Sequence, residues 1–145
     1  MDTAARVVTL PALLLPLIPT LLVIVILSRL PDATRMRWSA VSAAGFTGLY
    51  LNGGFGAWEF VYMVVASVPA YYAQRSYTAT GVAWLMHGCW DVLHHLYGNT
   101  LWHWDAMSSL GCAIMDPLVA LWFFAGAPSI FGKLGAARQA LDARV

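Results

Sequence analysis

The sequence predicts an all-α protein, a polytopic membrane helix bundle of five transmembrane helices in a single domain over residues 1–145. Charged residues make up 10% of the chain, against about 25% in a typical soluble domain, and 60% of the residues are hydrophobic. Long apolar runs are separated by short polar or glycine-rich stretches, as expected for a chain that lies in lipid. There is no basic patch and the net charge is only +1, so nucleic acid is not an expected partner.

The first predicted span covers residues 8–30. Its apolar run is too long for the central region of a signal peptide. Arg6 is the single basic residue before it, and no small-residue cleavage site follows. We therefore expect a retained helix.

The next apolar region, residues 38–74, is too long for one crossing, because about 20 residues rising 1.5 Å each span the hydrocarbon. The sequence N-G-G-F-G at residues 52–56 is a strong turn signal. It divides the region into a second span at 38–52 and a third at 56–74. Two further apolar runs give a fourth span at 78–97 and a fifth at 107–127.

The basic residues test this number of spans independently. With five spans, Arg6 is the only basic residue on the outer side of the membrane. With four spans, the Lys and Arg residues would be divided almost evenly between the two sides. Because cytoplasmic loops are enriched in Lys and Arg, five spans with the N-terminus outside and the C-terminus inside are favoured. The tail, residues 131–145, is then cytoplasmic. The residues that share the inner side are Arg29, Arg35, Arg37, Arg75, Lys133, Arg138 and Arg144.

Three acidic residues, Glu59, Asp91 and Asp116, lie inside predicted spans, and we expect no Lys or Arg deep in any span. An ionised carboxylate within the bilayer is energetically costly unless something neutralises it. The available neutralisers are a proton, an imidazolium or a metal ion, and each of these states is chemically useful. The excess of acidic over basic residues within the predicted spans is the main functional signal in the sequence.

The fourth span carries the run W-L-M-H-G-C-W-D-V-L-H-H-L-Y-G-N. At about 100° per residue, His87, Asp91, His94 and His95 fall within an arc of roughly 100° on one helix face. The Asp91 carboxylate is three or four positions from each histidine, close enough to fix an imidazole tautomer. The alternative is a polar stripe that holds helices together, but four ionisable groups are more than that role requires.

Glu59 and Asp116 belong to neighbouring spans. Glu59 lies in the first turn of the third span, where free N–H groups favour a carboxylate, so a role in helix capping alone is the alternative for it. Asp116 shares a face of the fifth span with Ser109 and Cys112, and Pro117 after it should bend that helix.

We therefore expect an intramembrane enzyme whose acid–base chemistry isomerises, cyclises or opens an epoxide in a lipophilic small molecule. The expected catalytic residues are Glu59, Asp91, His94 and Asp116. Aromatic and polar neighbours would line the substrate site and stabilise a cationic intermediate. These lining residues are Asn52, Trp58, Tyr62, Trp84, Trp90 and Cys112.

Three alternatives remain open, one of which is a structural subunit of a larger complex whose polar face packs against a partner. A single divalent ion, zinc or iron, would make the protein a metal-dependent hydrolase or oxidase. Its ligands would come from the set His87, Asp91, His94 and His95, together with Glu59 or Asp116 from a neighbouring span. The D-x-x-H-H run resembles the histidine boxes of membrane di-iron enzymes, which need several boxes, whereas this chain has one. Intramembrane Asp and His are also typical of proton relays; a proton- or metal-coupled transporter would then use a homo-oligomer, because no internal repeat is present.

The strings G-x-W-E, H-x-x-x-W-D-x-x-H-H-L-Y-G-N and G-C-A-I-x-D-P together resemble an uncharacterised bacterial family of small integral membrane proteins, a domain of unknown function. The resemblance covers about residues 45–131 and implies a multi-pass protein of the bacterial cytoplasmic (inner) membrane, without an activity. A weaker similarity, in architecture alone, links the chain to five-span sterol isomerases of the emopamil-binding type and to membrane terpene cyclases.

Overall fold

The computed structural model of the chain describes residues 7–51 and 53–132. Over those two ranges, α-helix is the only regular structure apart from one isolated bridge between Trp102 and Asp105, which confirms the all-α class. The helices are α1 (Leu10–Leu14), α2 (Leu17–Ser28), α3 (Asp32–Thr47), α4 (Ala57–Ala73), α5 (Tyr77–Tyr97) and α6 (Ser108–Phe124).

By length and hydropathy, one helical stretch in the described ranges is long and apolar enough to cross a membrane, namely Leu10–Ser28 near the N-terminus. The shorter helix α6 is also apolar. The five-span topology and its orientation therefore stay predictions. The predicted cytoplasmic tail lies largely outside the described residues.

The first predicted span is not one continuous helix. It consists of α1 and α2, which are separated at Leu15 and Pro16. A proline has no N–H for the carbonyl one turn earlier, and the sequence places Pro16 and Pro19 close together at this point. The two prolines explain the interruption.

The second predicted segment, residues 38–52, is shifted relative to α3, which begins at Asp32 and ends at Thr47. Pro31 precedes the first helical residue, and the Asp32 carboxylate lies in the first turn, where it favours the helix N-terminus. Residues 48–51 form turns. The shift brings Arg35 into the helix, although the predicted spans place it in a loop.

Arg35 is buried and joins the ends of several helices. Its Nε donates to the carbonyl oxygen of Leu27 at 2.9 Å, its Nη2 to Leu30 at 3.0 Å, and its Nη1 to Ala127 at 2.8 Å. The carbonyls at a helix C-terminus lack intrahelical donors and carry the negative end of the dipole. One guanidinium thus satisfies the ends of α2 and of the segment after α6. We call this side of the bundle the Arg35 end, and the side with residues 48–56 and 98–107 the loop end.

Helix α5 is the centre of the bundle and packs against α3, α4 and α6. Its contact with α6 depends on Gly88, where an added Cβ would lie 2.9 Å from Pro117 Cδ and 3.2 Å from Asp116 Cβ. Small residues let helix backbones approach closely. Gly88 therefore brings the middle of α6 against the middle of α5.

Gly88→Ala is expected to lower the free energy of unfolding by about 1–3 kcal/mol, because the new methyl group forces α5 and α6 apart. Gly45→Ala is the matched control. A methyl group there would meet no described atom within 4 Å, so it should stabilise α3 by up to about 1 kcal/mol. Denaturant unfolding of both purified variants measures the difference. Equal effects of the two substitutions would show that the close approach at Gly88 is unimportant.

The outward faces of the helices are apolar and many inward positions are polar. Large exposed side chains include Val64, Val65 and Val68 on α4. By contrast, Asp91 on α5 and Asp116 on α6 are at most 1% exposed. A protein folded in water normally shows the opposite distribution, with its charged residues outside.

Candidate functional site

His87 and Asp116 lie at the midpoints of α5 and α6, where Gly88 brings the two helices together. The Nδ1 atom of His87 is 2.9 Å from Asp91 Oδ2 and 2.7 Å from Asp116 Oδ2. All three side chains are buried. One imidazole nitrogen is thus held between two carboxylates, at the place in the bundle farthest from both ends.

Two hydroxyl groups extend this arrangement toward the loop end. The Tyr50 hydroxyl lies 2.6 Å from Asp91 Oδ1 and 2.9 Å from Ser109 Oγ. It has one proton, which the nearer carboxylate accepts, so the Ser109 hydroxyl donates to the Tyr50 oxygen. Ser109 Oγ in turn accepts the N–H of Leu101 at 3.0 Å. We call His87, Asp91, Asp116, Tyr50 and Ser109 the His87 cluster.

The hydrogen bonds define the tautomer of His87. Both groups near Nδ1 are carboxylate oxygens, which accept hydrogen bonds, so Nδ1 carries a proton. The other nitrogen, Nε2, is buried and has no hydrogen-bond partner among the described residues. Nε2 is therefore the nitrogen free to exchange a proton with a bound molecule: it has an N–H in the imidazolium and a lone pair in the neutral ring.

Glu59 and His94 form a second group nearer the loop end. Glu59 Oε2 lies 3.4 Å from His94 Nε2 and accepts the Trp90 Nε1–H at 3.3 Å. Glu59 Oε1 accepts the backbone N–H of Phe55 at 3.2 Å, which fixes the chain just before α4. We call Glu59, His94 and Trp90 the Glu59 cluster. Glu59 thus lies in the first turn of α4, as expected, and also approaches a histidine of α5.

Tyr50 connects the two clusters. Its ring stacks on the His94 ring with centroids 3.9 Å apart and planes 10° apart, while its hydroxyl binds Asp91. Sequence reasoning missed this residue, because it lies in the turns after α3 with no motif around it. The four expected catalytic residues are therefore close together but divided, Glu59 and His94 on one side of Tyr50 and Asp91 and Asp116 on the other.

The expected lining residues have different environments. Tyr62 is buried and stacks on half-buried Trp90, with centroids 4.3 Å apart, beside Glu59. Trp58 is 67% exposed. Trp84 lies in the apolar core with Leu27 and Phe123.

Cys112 and Asn52 complete the expected lining set. Cys112 is a half-buried free thiol one turn before Asp116. Asn52 lies outside the described residues.

The expected metal ligands do not all lie together in the structure. Within the described ranges, the ligand atoms of His87, Asp91 and Asp116 all lie within 4.8 Å of one another. This group includes Asp116, an expected ligand from a neighbouring span, and excludes His94, which lies beside Glu59. His95 is buried but does not belong to the converging group. One nitrogen and two carboxylate oxygens would suit a zinc or iron ion with an open position.

Comparison with family models identifies the chain. A model described as a family of unknown function (DUF6010) matches residues 11–129, and the chain belongs to this family. The expected membership of a family without an assigned activity is thus confirmed, whereas bacterial origin and membrane location remain predictions. No curated protein and no solved structure matches the chain.

Proposed function

We propose that this DUF6010 protein is an intramembrane enzyme that acts on a lipophilic small molecule by acid–base chemistry of the isomerase or cyclase type, with His87 as the proton-transferring residue. The observation that carries the proposal is the environment of the imidazole. Its Nδ1 is held by the Asp91 and Asp116 carboxylates, while its Nε2 is buried with no hydrogen-bond partner among the described residues.

The roles of the residues follow from this geometry. His87 Nε2 donates a proton to one carbon of the substrate and takes a proton from another, so atoms and charge balance over the cycle. The imidazolium that donates the proton is stabilised by the two carboxylates at Nδ1, and its N–H exchanges with solvent between turnovers. Tyr50 and Ser109 hold the Asp91 carboxylate in position. Glu59 and His94 form a second acid–base pair on the far side of Tyr50.

Several features support a membrane location and five spans. α5 has 21 residues, giving a length of about 31 Å against a hydrocarbon core of about 30 Å. The outward faces of the helices are apolar. Arg29, Arg35 and Arg75 all lie at the Arg35 end, as the positive-inside rule expects for a cytoplasmic side.

Deuterium transfer tests the enzyme proposal even while the substrate is unidentified. Purified protein is incubated with a neutral lipid extract in D₂O, and the lipids are returned to H₂O before mass spectrometry, so only carbon-bound deuterium remains. We expect one lipid to gain deuterium with the wild type. The His87→Gln variant should lower the rate by about 10²–10⁴-fold, the usual contribution of a general base.

His103→Gln is the matched control, because His103 is exposed at the loop end. It should transfer deuterium at the wild-type rate. Asp116→Asn, which keeps the size of the side chain, should lose most of the activity while its unfolding remains cooperative. An equal rate for His87→Gln and the wild type, or no labelled lipid at all, would contradict the proposal.

Metal analysis separates the acid–base mechanism from the metal-dependent one. In the metal-free mechanism, His87 Nδ1 bonds directly to its two carboxylates, at 2.7 and 2.9 Å. That mechanism predicts purified protein without stoichiometric zinc or iron. A stoichiometric ion that is lost in Asp91→Ala would replace the metal-free mechanism with the metal-dependent hydrolase or oxidase.

A proton-coupled transporter is the second candidate. The observation that favours it is the continuous series of hydrogen bonds from Leu101 at the loop end through Ser109, Tyr50 and Asp91 to His87 at mid-bundle. Such a series can move protons into the bundle. Proton flux into proteoliposomes that disappears in Asp116→Asn, with no deuterium transfer to lipid in detergent, would favour the transporter.

A further inference from the structure

An apolar groove of about 710 Å³ runs along the outer surface of α4 and α5. These helices pack side by side and are joined by residues 74–76, so they are antiparallel. The α4 wall extends from Val64 to Tyr72 and the α5 wall from Ser76 to Met86. At 1.5 Å per residue the walls are about 12 and 15 Å long, close to half of a hydrocarbon core of about 30 Å. The groove therefore has the length of one lipid leaflet.

The walls of the groove are apolar and open to the outside. Val64, Val65 and Val68 on α4 are each more than half exposed, and Val82 lies on the α5 wall. The lining residues include no Asp, Glu, His, Lys or Arg. A groove between two helices contacts a single hydrocarbon chain on several sides, so its many weak dispersion contacts add up. The walls thus fit an acyl chain better than a flat helix face would.

The groove ends beside an unpaired arginine. Tyr72 and Ser76 line this end, and Arg75 lies between them in the chain and is exposed. Among the described residues, Arg75 makes no ion pair. Its guanidinium is therefore available to an anionic group at the end of the groove.

The charge at this end of the bundle is mainly positive. Arg29 and Arg35 lie at the same end as Arg75, and the acid there, Asp32, already pairs with Arg35. Every other acid that the structure describes lies at mid-bundle or at the loop end. Basic residues beside a bilayer attract anionic lipids, so the charge at the Arg35 end complements an anionic head group.

We propose that this groove binds an anionic phospholipid of the surrounding leaflet, with one acyl chain along Val68 and the phosphate paired with Arg75. The acyl chain accounts for the apolar walls and for their length, and the phosphate accounts for the unpaired arginine where the walls end. The hydroxyl groups of Tyr72 and Thr78, which also line the groove, can donate to the phosphate and ester oxygens. The inference rests on the proposed membrane location and is independent of the chemistry of His87.

Native mass spectrometry of the full chain in detergent tests the lipid site. The probes are dioleoyl phosphatidylglycerol, which is anionic, and dioleoyl phosphatidylcholine, which has the same acyl chains and no net charge. We expect one phosphatidylglycerol per chain, bound about fivefold more tightly than phosphatidylcholine, the contribution of one basic residue to the binding of anionic lipid. Arg75→Gln should lose this preference. Val68→Trp, which fills the groove, should abolish stoichiometric binding of both lipids.

The controls replace the same residue types outside the groove. Arg37 is exposed on α3, and Val61 is 48% exposed on α4 but does not line the groove, so Arg37→Gln and Val61→Trp should bind both lipids like the wild type. An unchanged preference for phosphatidylglycerol in Arg75→Gln, or unchanged lipid binding in Val68→Trp, would overturn the assignment.

Two further outcomes separate this inference from its rivals. A dimer without bound lipid, which Val68→Trp converts to a monomer, would assign the groove to a second copy of the chain and overturn the lipid site. Stoichiometric phosphatidylglycerol without deuterium transfer in the wild type would reject the proposed enzyme and uphold the lipid site. Deuterium transfer without stoichiometric lipid would do the reverse.

Discussion

Arg35→Met is expected to lower the free energy of unfolding by about 2–6 kcal/mol, because it removes a charged donor from carbonyl groups inside the protein. Methionine fills much of the space of the aliphatic stem but has no side-chain N–H groups. The carbonyl oxygens of Leu30 and Ala127 would lose the donor that Arg35 provides, whereas that of Leu27 keeps the backbone N–H of Leu30 at 3.1 Å. Each unsatisfied buried group contributes about 1–3 kcal/mol.

Arg37→Met is the matched control, two residues away on the same helix. Arg37 is exposed, and exposed substitutions usually change stability by less than about 0.5 kcal/mol. Denaturant unfolding of both variants in one detergent gives the comparison. If the two variants were equally stable, the guanidinium of Arg35 would not join the helix ends.

The glycine-rich turn at residues 52–56 and the polar connections after it located the last three helices, whereas the break at Pro16 and the start of α3 after Pro31 were missed. Helices α4, α5 and α6 lie within a few residues of the expected segments. The start of α3 was missed because R-M-R-W was interpreted as a charged loop. Arg35 can be buried there only because carbonyl groups at the end of α2 and just after α6 accept its hydrogen bonds. No local sequence pattern shows that these helix ends lie next to Arg35.

The contacts between site residues within α5 were predictable from the sequence, whereas the contacts between α5 and its neighbouring helices were not. Helical periodicity alone places His87 and Asp91 on one face, and they are in contact. Which histidine meets which acid from another helix depends on where the helices cross. Gly88 sets that crossing beside Asp116, so Asp116 meets His87, and Glu59 at the start of α4 meets His94.

Asp91→Ala is expected to cost about 3–5 kcal/mol of stability, because it removes the acceptor shared by Tyr50 and His87 inside the bundle. A double-mutant cycle with Tyr50→Phe isolates the part that belongs to the hydrogen bond. In the wild type, Tyr50→Phe should cost about 1–3 kcal/mol, since it leaves Asp91 Oδ1 and Ser109 without that partner. In the Asp91→Ala protein the same substitution should cost much less, because the hydroxyl has already lost its acceptor.

The expected coupling energy lies between about 0.5 and 3 kcal/mol, the range for residues in one hydrogen-bond network. Tyr97→Phe provides the control cycle, because Tyr97 is 71% exposed at the end of α5, and its effect should add to that of Asp91→Ala. Unfolding of the four proteins of each cycle in one detergent measures both values. Additive effects of Tyr50→Phe and Asp91→Ala would mean that Tyr50 does not hold Asp91. The two clusters would then act separately, and Asp91 and Asp116 alone would have to position the imidazole of His87.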